Sequence, residues 1–344
     1  MFGIWRTLLA VEVVLYHLAG VQVIGQYAVF AFFVLSGFLM TAIMQSSYGY
    51  STAGRLRYLQ NRALRLYPSY WFALAITILL IAAFGAARMQ AYNSHFVLPD
   101  TITDWIKNLT MVFGLSPFDQ VSRLVPPSWA LTVEIIFYVL IGLGLSRTPT
   151  STVIWTVLSL LYIVVADVTS GGGPALYSAI LAGSLPFAMG AMTWHFRCEI
   201  YRRLQILKID RPVSLIVLRW LSWAAFLGAN QLTGRGWLIT LGNYVNIGLS
   251  MLIVCVLFHQ RPGEKLRRID KAVGDFSYPI YLLHWQGAAI ASMLLFGVLL
   301  RGPNPAGLAA VALGLVVTIM LGWVCVRLID PAVERRRTKI RNKL

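Results

Sequence analysis

Three ionisable side chains, Glu12, His17 and Glu134, lie deep inside apolar stretches, where a charge is costly. At about 1.5 Å of rise per helical residue, His17 lies roughly 20 Å from the start of its helix and about 10 Å from the far surface. Glu134 lies about 8 Å below that far surface. A carboxylate beside an imidazole fixes the tautomer and raises the basicity of the ring, as in a general base with its orienting group. We therefore expect Glu134 or Glu12 to orient His17; a purely structural His–Glu hydrogen bond is the alternative.

Two arginines before the third apolar stretch, Arg62 and Arg65, are one helical turn apart. Residues at i and i+3 share a helix face, so the two guanidinium groups can hold one phosphate by bidentate hydrogen bonds. Topology-setting charge is the alternative interpretation. Arg6 and Arg219 lie inside other apolar stretches, where each can either serve a site or extend its charged end to the interface.

Polar residues mark two further stretches. Ser277, Tyr281 and His284 follow the spacing i, i+4 and i+7, which places them on one stripe of a helix. A polar stripe on a membrane helix faces a cavity or a neighbouring helix rather than lipid. Ser36 and Gly37 form a small pair within an apolar run, and small residues admit either a ligand or a close-packed helix.

The elements that position these residues must be membrane helices, because the composition excludes a soluble globular protein. Of the 344 residues, 58% are hydrophobic and only 12% are charged, about half the roughly 25% of soluble domains. Mean hydropathy is +0.70. The net charge is +16, but no room is left for a soluble basic domain, so we expect no nucleic-acid partner. The three cysteines have neither a disulfide nor a metal-ligand pattern, and we expect no metal.

Apolar segments of about 20 residues are long enough to cross a bilayer. Ten such segments predict an all-α membrane protein with about ten transmembrane helices: 4–24, 28–45, 69–85, 129–146, 152–168, 175–194, 213–229, 237–258, 278–300 and 307–329. Residues 101–115 are expected to form an amphipathic helix in the interface. Glycine and proline mark the breaks, for example at 171–174 and 302–305.

The cations give the orientation, because cytoplasmic loops collect Lys and Arg. With the N-terminus in the cytoplasm, 21 of the 29 cations lie in cytoplasmic segments and five lie in outer loops. We therefore expect both termini to be cytoplasmic. No repeat, linker, nucleotide-binding loop or serine-hydrolase elbow interrupts the spans, so we expect one domain over 1–344 with no appended soluble domain.

Several motifs, in their order along the chain, together resemble one family. They are Arg6 with His17, Phe32-Phe33-Val34-Leu35-Ser36-Gly37-Phe38, Arg62-x-x-Arg65 with Leu66-Tyr67-Pro68, Trp129-Ala130-Leu131-Thr132-Val133-Glu134, Ser277-Tyr278-Pro279-Ile280-Tyr281-Leu282-Leu283-His284, and Glu334-Arg335. In this combination and order the chain resembles the acyltransferase-3 family of membrane acyltransferases.

The resemblance implies transfer of an acyl group, most often acetyl, from cytoplasmic acyl-CoA to a hydroxyl of an envelope glycan across the membrane. Such a glycan is an exopolysaccharide, an O-antigen or a lipid-linked saccharide, and the implied location is the bacterial cytoplasmic membrane with its lipids. The family's first-span Arg and His match Arg6 and His17, its arginine pair matches Arg62 and Arg65, and its fourth-span Glu matches Glu134.

Residues and resemblance together give a hypothesis for the mechanism. The CoA phosphates bind Arg62 and Arg65, with help from Arg6, and the pantetheine arm passes two polar groups of residues. These are Ser36 with Gly37, and Ser277 with Tyr281 and His284. His17 then takes the proton of the acceptor hydroxyl, either for direct transfer or with a covalent acyl-histidine.

Two other classes stay open at this point. In a proton-coupled secondary transporter, Glu12, His17 and Glu134 would form a proton relay. In a non-catalytic interaction protein, the fold would be kept without the chemistry. Release of free CoA from acetyl-CoA separates the enzyme from both.

Overall fold

The computed structural model describes residues 1–114, 122–170 and 180–341, and these residues contain helices but no β-strand. The α-helices are α1 (Gly3–Ala19), α2 (Ile24–Ile43), α3 (Thr52–Phe84), α4 (Ala86–Tyr92), α5 (Ile102–Thr110), α6 (Ser128–Leu143), α7 (Pro149–Ser170), α8 (Ser184–Ile206), α9 (Pro212–Thr233), α10 (Trp237–His259), α11 (Glu264–Asp275), α12 (Ser277–Phe296), α13 (Pro305–Val324) and α14 (Asp330–Arg341). A π-helical turn, Met44–Tyr48, extends α2, and a second one, Cys325–Ile329, joins α13 to α14. The 3-10 turn Ile180–Gly183 leads into α8.

Seven helices of the described chain are long and apolar enough to cross a membrane. They are Ile24–Tyr48, Thr52–Phe84, Pro149–Thr169, Pro212–Thr233, Trp237–His259, Glu264–Phe296 and Pro305–Arg341. The chain is therefore an all-helical, multi-pass membrane protein.

The other three predicted spans coincide with α1, α6 and α8. The first two helices have only 17 and 16 residues, and the second half of α8 carries Arg197, Glu199, Arg202 and Arg203. The count of ten spans and the cytoplasmic termini stay predictions. The start of the predicted span 175–194 and the turn at 171–174 lie outside the described residues. The predicted amphipathic helix is α5, and Leu115 at its predicted end also lies outside them.

Local sequence explains several helix ends. The Ser51 side chain accepts a hydrogen bond from the Gly54 N–H at the start of α3, and the Asn304 side chain does the same for Gly307 at the start of α13. At the end of α1, Gly20 adopts the left-handed conformation that favours glycine, with φ at 76°. These signals set where the membrane helices begin and end.

Helix α1 packs on α2 and α12, and its start packs on α11. A Cβ on Gly3 would lie 1.7 Å from the Asp270 carbonyl oxygen, so only glycine permits this approach. The Asp270 carboxylate accepts hydrogen bonds from the Gly3 and Ile4 backbone N–H groups at 3.1 and 2.9 Å, which satisfies two free donors of the helix start. Because α11 leads directly into α12, these contacts fix the position of α1 along its axis relative to α12.

The periphery of the bundle is apolar and exposed. Leu158 on α7, Leu221 on α9 and Met320 on α13 are 59%, 61% and 64% exposed. By contrast, most of α2 is buried, between α1, α6, α8 and α10. Because lipid tails are as apolar as these side chains, the exposed surface is the one that a bilayer covers.

The two ends of the bundle carry different residues. We call the end where α1, α3 and α12 begin the arginine end; there the Tyr278 hydroxyl donates to the Leu66 carbonyl at 2.9 Å, next to Arg65. We call the opposite end the histidine end. It holds the last turn of α1 and the loop 297–304, whose Gly302 N–H donates to the Leu18 carbonyl at 2.7 Å.

Candidate active site

His17, the predicted proton-transfer residue, faces a second histidine. Its Nδ1 atom lies 3.0 Å from Nε2 of His284 on α12, and the two rings stack with centroids 5.2 Å apart. The other ring nitrogen of His284, Nδ1, lies 2.8 Å from the carbonyl oxygen of Tyr281. His284 is fully buried, whereas His17 is only half-buried. His17 therefore keeps part of its surface accessible, whereas His284 does not.

These contacts fix which nitrogen carries each proton. A carbonyl oxygen only accepts hydrogen bonds, so Nδ1 of His284 is the protonated nitrogen and its Nε2 presents a lone pair. Nδ1 of His17 must then donate to His284, which leaves the lone pair of a neutral His17 on Nε2. No described residue forms a hydrogen bond with His17 Nε2. The histidine pair thus orients His17 as a proton acceptor.

The predicted pairing of His17 with Glu134 is wrong. Glu134 on α6 accepts hydrogen bonds from Ser36 Oγ at 2.8 Å and from the Tyr138 hydroxyl at 3.0 Å. Matching depth did not make the two residues neighbours, because α6 packs on α2 and α3, whereas His17 meets α12. Histidine therefore takes the orienting position that was predicted for a carboxylate.

The alternative prediction, that Glu12 orients His17, is also wrong, because Glu12 forms a buried ion pair with Arg219 of α9. The Arg219 guanidinium donates to both Glu12 carboxylate oxygens, at 2.7 and 2.8 Å, and Trp220 Nε1 adds a third hydrogen bond at 2.7 Å. Arg219 is fully buried and also donates to Asn246 at 2.7 Å. Its charge does not extend to the interface, because Glu12 neutralises it within the bundle.

A cavity of about 140 Å³ lies between α1, α2, α3, α6 and α12. Seven of the predicted site residues line it: Arg6, Ser36, Arg62, Arg65, Glu134, Ser277 and Tyr281. Tyr138 and Tyr278 line it as well, although no sequence pattern marked them as cavity residues. His284 lies one turn beyond Tyr281 along α12, so the histidine pair adjoins the inner end of this cavity.

Three guanidinium groups, from Arg6, Arg62 and Arg65, line the arginine end of the cavity. Arg6 donates to the Gly274 carbonyl at 3.3 Å, Arg62 donates to the Asn61 side chain at 3.3 Å, and Arg65 lies 4.0 Å from the Asp330 carboxylate. The Nε atoms of Arg6 and Arg62 are buried, and no residue in the described part of the chain forms a hydrogen bond with them. Unused donors and excess positive charge together suit an anionic group such as a phosphate.

Two small residues predicted to contact a cofactor, Gly37 and Ser277, make contacts within the protein itself. A Cβ on Gly37 would lie 2.1 Å from the Phe187 carbonyl oxygen, and one on Gly190 would lie 2.0 Å from the Val34 carbonyl oxygen. Gly37 therefore lies in the contact between α2 and α8 rather than in the cavity lining, and a role for it in cofactor binding stays a prediction. The Ser277 hydroxyl donates to the Gly274 carbonyl at 2.7 Å, so it lines the cavity with its donor already used.

The role of His284 was missed, because the polar stripe predicted only a lining residue. Spacing within each helix does not show how His17 and His284 lie relative to each other. Gly3 lies beside Gly274, however. His17 lies 14 positions after Gly3, and His284 lies ten positions after Gly274. The remaining four positions are roughly 6 Å of rise. The glycine contact was the one signal that could have aligned the two histidines.

Within 1–114, 122–170 and 180–341, no group of three or more His, Cys, Asp or Glu side chains could hold a metal ion. The polar groups instead form one series across the bundle. It runs from the arginines, through Ser36, Glu134 and Tyr281, to the histidine pair. Cations at one end and a proton acceptor at the other suit a long substrate that has an anionic group at one end and reacts at the other.

Comparison with known proteins gives one family. No curated protein and no solved structure matches the chain. A family model described as the acyltransferase domain, that of the acyltransferase-3 family, matches residues 2–327, which is nearly the whole chain. The match includes every residue of the cavity and of the histidine pair. The chain belongs to the acyltransferase-3 family.

Proposed function

We propose that this protein is a membrane O-acyltransferase of the bacterial cytoplasmic membrane. It moves an acyl group, acetyl in the simplest case, from cytoplasmic acyl-CoA to a hydroxyl of an extracytoplasmic glycan such as an exopolysaccharide or O-antigen. The observation that carries the proposal is the histidine pair. It leaves His17 Nε2 unprotonated beside a cavity whose other end has three arginines.

The proposal includes ten spans with both termini in the cytoplasm. Helices α1 and α6 are short, but they pack inside the bundle between longer helices, which reduces the length that lipid must cover. The excess of cations in the predicted cytoplasmic segments supports an arginine end on the cytoplasmic side. This orientation gives acyl-CoA access to the arginines and gives the glycan access to the histidine end.

The arginine end is the proposed site for the CoA phosphates. Arg62 and Arg65 offer donors from one helix face, and Arg6 offers a third guanidinium from α1. The unpartnered Nε atoms of Arg6 and Arg62 fit an anion that accepts from them. Because Arg65 has only a 4.0 Å contact with Asp330, a phosphate can replace that carboxylate at low cost.

The middle of the cavity is the proposed path of the pantetheine arm, which carries amide N–H groups. The Glu134 carboxylate, held by Ser36 and Tyr138, is an acceptor for those groups. Tyr281 lies at the inner end, where its hydroxyl donates to the Pro127 carbonyl at 2.8 Å. The thioester then reaches the histidine pair one turn beyond Tyr281.

The chemical step uses the lone pair on His17 Nε2. In direct transfer, Nε2 takes the proton of the acceptor hydroxyl, the hydroxyl oxygen bonds to the thioester carbon, and the carbon–sulfur bond breaks. CoA leaves as a thiolate, which the proton from His17 neutralises. In the two-step route, Nε2 attacks the thioester carbon, the carbon–sulfur bond breaks and CoA leaves as a thiolate. The hydroxyl oxygen then bonds to the acyl carbon, the carbon–nitrogen bond to His17 breaks, and the hydroxyl proton neutralises the thiolate. His284 stabilises the positive charge on His17 in both routes by accepting from Nδ1.

The test is release of free CoA from acetyl-CoA by purified protein, with and without an extract of envelope polysaccharide from the host. We expect acceptor-dependent release, loss of release in His17→Ala, and normal release in His259→Gln as the matched histidine control. A transporter or an interaction protein releases no CoA under any of these conditions. Mass spectrometry of surface glycans from strains with and without the gene then identifies the acylated hydroxyl.

A further inference from the structure

Arg301, on the loop 297–304 at the histidine end, lies over two aromatic rings next to His17. Its guanidinium carbon is 5.4 Å from the centroid of the Trp285 ring and 5.9 Å from that of Tyr92. The Trp285 ring in turn lies 5.6 Å from the His17 ring, centroid to centroid. The Trp285 ring thus contacts both the Arg301 cation and the proposed base, His17.

The loop that carries Arg301 is anchored on both sides of this residue. The Leu300 N–H donates to Ser292 Oγ at 2.6 Å, and the Gly302 N–H donates to the Leu18 carbonyl at 2.7 Å. Leu18 directly follows His17 on α1. The position of the guanidinium is therefore coupled to the end of the helix that carries the base.

Two hydrogen-bond donors in the same cluster are buried and unused. Trp285 is 3% exposed and Tyr92 is 4% exposed, yet among the described residues neither Trp285 Nε1 nor the Tyr92 hydroxyl has a hydrogen-bond partner. Buried donors of this kind are rarely left unsatisfied in native proteins. A ligand with acceptor oxygens would satisfy both of them.

Arg301 also has no carboxylate partner within residues 1–114, 122–170 and 180–341. Among the described residues, the nitrogens of Lys and Arg that lie within 4.0 Å of a carboxylate belong to other residues. Arg301 is exposed and keeps its charge available at the surface where the acceptor is proposed to enter. A guanidinium with two neutral donors favours an anionic oxygen group over a neutral hydroxyl.

We propose that Arg301, Trp285 and Tyr92 form a subsite for an anionic substituent of the acceptor saccharide, a carboxylate or a phosphate. The subsite holds this substituent while a hydroxyl of the same saccharide reaches His17 Nε2. The proposal rests on the proposed acyltransferase function and adds a substrate class to it: the acceptor is an acidic glycan.

The test measures binding of three probes by saturation-transfer NMR titration: methyl glucoside, methyl glucuronide and glucose 1-phosphate. The protein is purified in octaethylene glycol monododecyl ether, a detergent with neither sugar nor phosphate, so no lipid headgroup or detergent sugar competes. We expect at least one anionic probe to bind about tenfold more tightly than methyl glucoside, the size of one charge-assisted hydrogen bond. The anionic probe that binds identifies the substituent as a carboxylate or a phosphate.

Variants connect the binding to these residues. Arg301→Gln is expected to reduce the preference for the anionic probe to less than about twofold, because the charge-assisted hydrogen bonds are lost. Trp285→Phe and Tyr92→Phe, which each remove one donor and keep the ring, are expected to weaken binding by smaller factors. Arg235→Gln is the matched control, since Arg235 is an exposed arginine in another loop predicted to lie on the same side.

Equal binding of the neutral and anionic probes, no binding of either anionic probe, or an unchanged preference in Arg301→Gln overturns the subsite. A preference that depends on Arg301 in detergent but is lost when the protein is placed in phosphatidylglycerol nanodiscs shows that a lipid headgroup occupies the subsite, and it overturns the saccharide assignment. These readouts need no acyl donor. Failure of CoA release therefore contradicts the proposed function, whereas failure of probe selectivity contradicts the subsite alone.

Discussion

Helix α1 contributes to two pairs of polar side chains, and the pairs differ in whether a hydrogen-bonding atom is left without a described partner. The Glu12–Arg219 pair is closed: both carboxylate oxygens accept hydrogen bonds, and the guanidinium also reaches Asn246. The His17–His284 pair is open, because the hydrogen bonds end at His17 Nδ1 and leave Nε2 with a lone pair that no described residue binds. The residue of a closed pair and the residue of an open one thus lie five positions apart on one helix.

The difference shows that an ionisable residue inside a membrane is not by itself a catalytic one. Removing one member of a closed pair leaves a buried charge without a partner, which costs folding free energy. Removing a member of the open pair removes a proton acceptor or its orientation, which costs rate. Substitutions can therefore tell the two pairs apart by whether stability or turnover changes.

The largest effect is expected from His17→Ala. Loss of a general base lowers the rate by factors of up to about 10⁴, and we expect kcat to fall by about this factor. Membrane insertion and thermal stability should stay unchanged, because His17 is only half-buried and carries no buried charge. The measurement is CoA release by equal amounts of purified protein. Wild-type turnover in the variant would remove His17 from the mechanism.

The second prediction concerns the closed pair. Glu12→Gln leaves the Arg219 charge unpaired in the bundle and is expected to destabilise the protein by about 3–5 kcal/mol. The pair can be removed as a whole in Glu12→Met with Arg219→Met, which should recover most of the stability and also the activity. Thermal unfolding in detergent and CoA release are measured on the same samples. A double variant that is stable but inactive would restore the catalytic role first expected for Glu12.

His284→Ala comes third. We expect kcat to fall by about 10²-fold, the lower range for acid–base catalysis, because His17 keeps its lone pair but loses the acceptor that fixes it on Nε2. His284→Gln, which can still accept from His17 Nδ1, should recover part of the loss, and KM for acyl-CoA should change little in both variants. Equal activity of the Ala and Gln variants would mean that His284 only fills space.

The smallest effect is expected at the arginine end. Arg62→Ala with Arg65→Ala should raise KM for acyl-CoA by about tenfold with little change in kcat, since each partly exposed ion pair with a phosphate is worth about 0.2–1 kcal/mol and tenfold corresponds to about 1.4 kcal/mol. Arg57→Ala, on the same helix but outside the cavity lining, is the matched control. An unchanged KM in the double variant would leave these arginines with a topological role only.

Much of the architecture could be predicted, because a bilayer forces apolar segments of sufficient length into helices. Each of the ten predicted segments contains or overlaps a helix, and seven predicted site residues line one cavity. The partners of His17, Glu12 and Glu134 could not be predicted. The depth of a residue follows from its position in its own helix. Its partner, by contrast, depends on which helices are in contact and on how far one helix is shifted along the other.

The sequence alone determined the family, the helical membrane fold and the candidate site residues, because the cost of a charge in hydrocarbon makes each ionisable side chain conspicuous. Tertiary structure decided which partners these residues have. The contact of Gly3 with Asp270 and Gly274 sets α1 against α12 and brings His17 to His284. The position of α9 gives Glu12 to Arg219. Both outcomes follow from close packing between helices far apart in the chain, which no local spacing encodes.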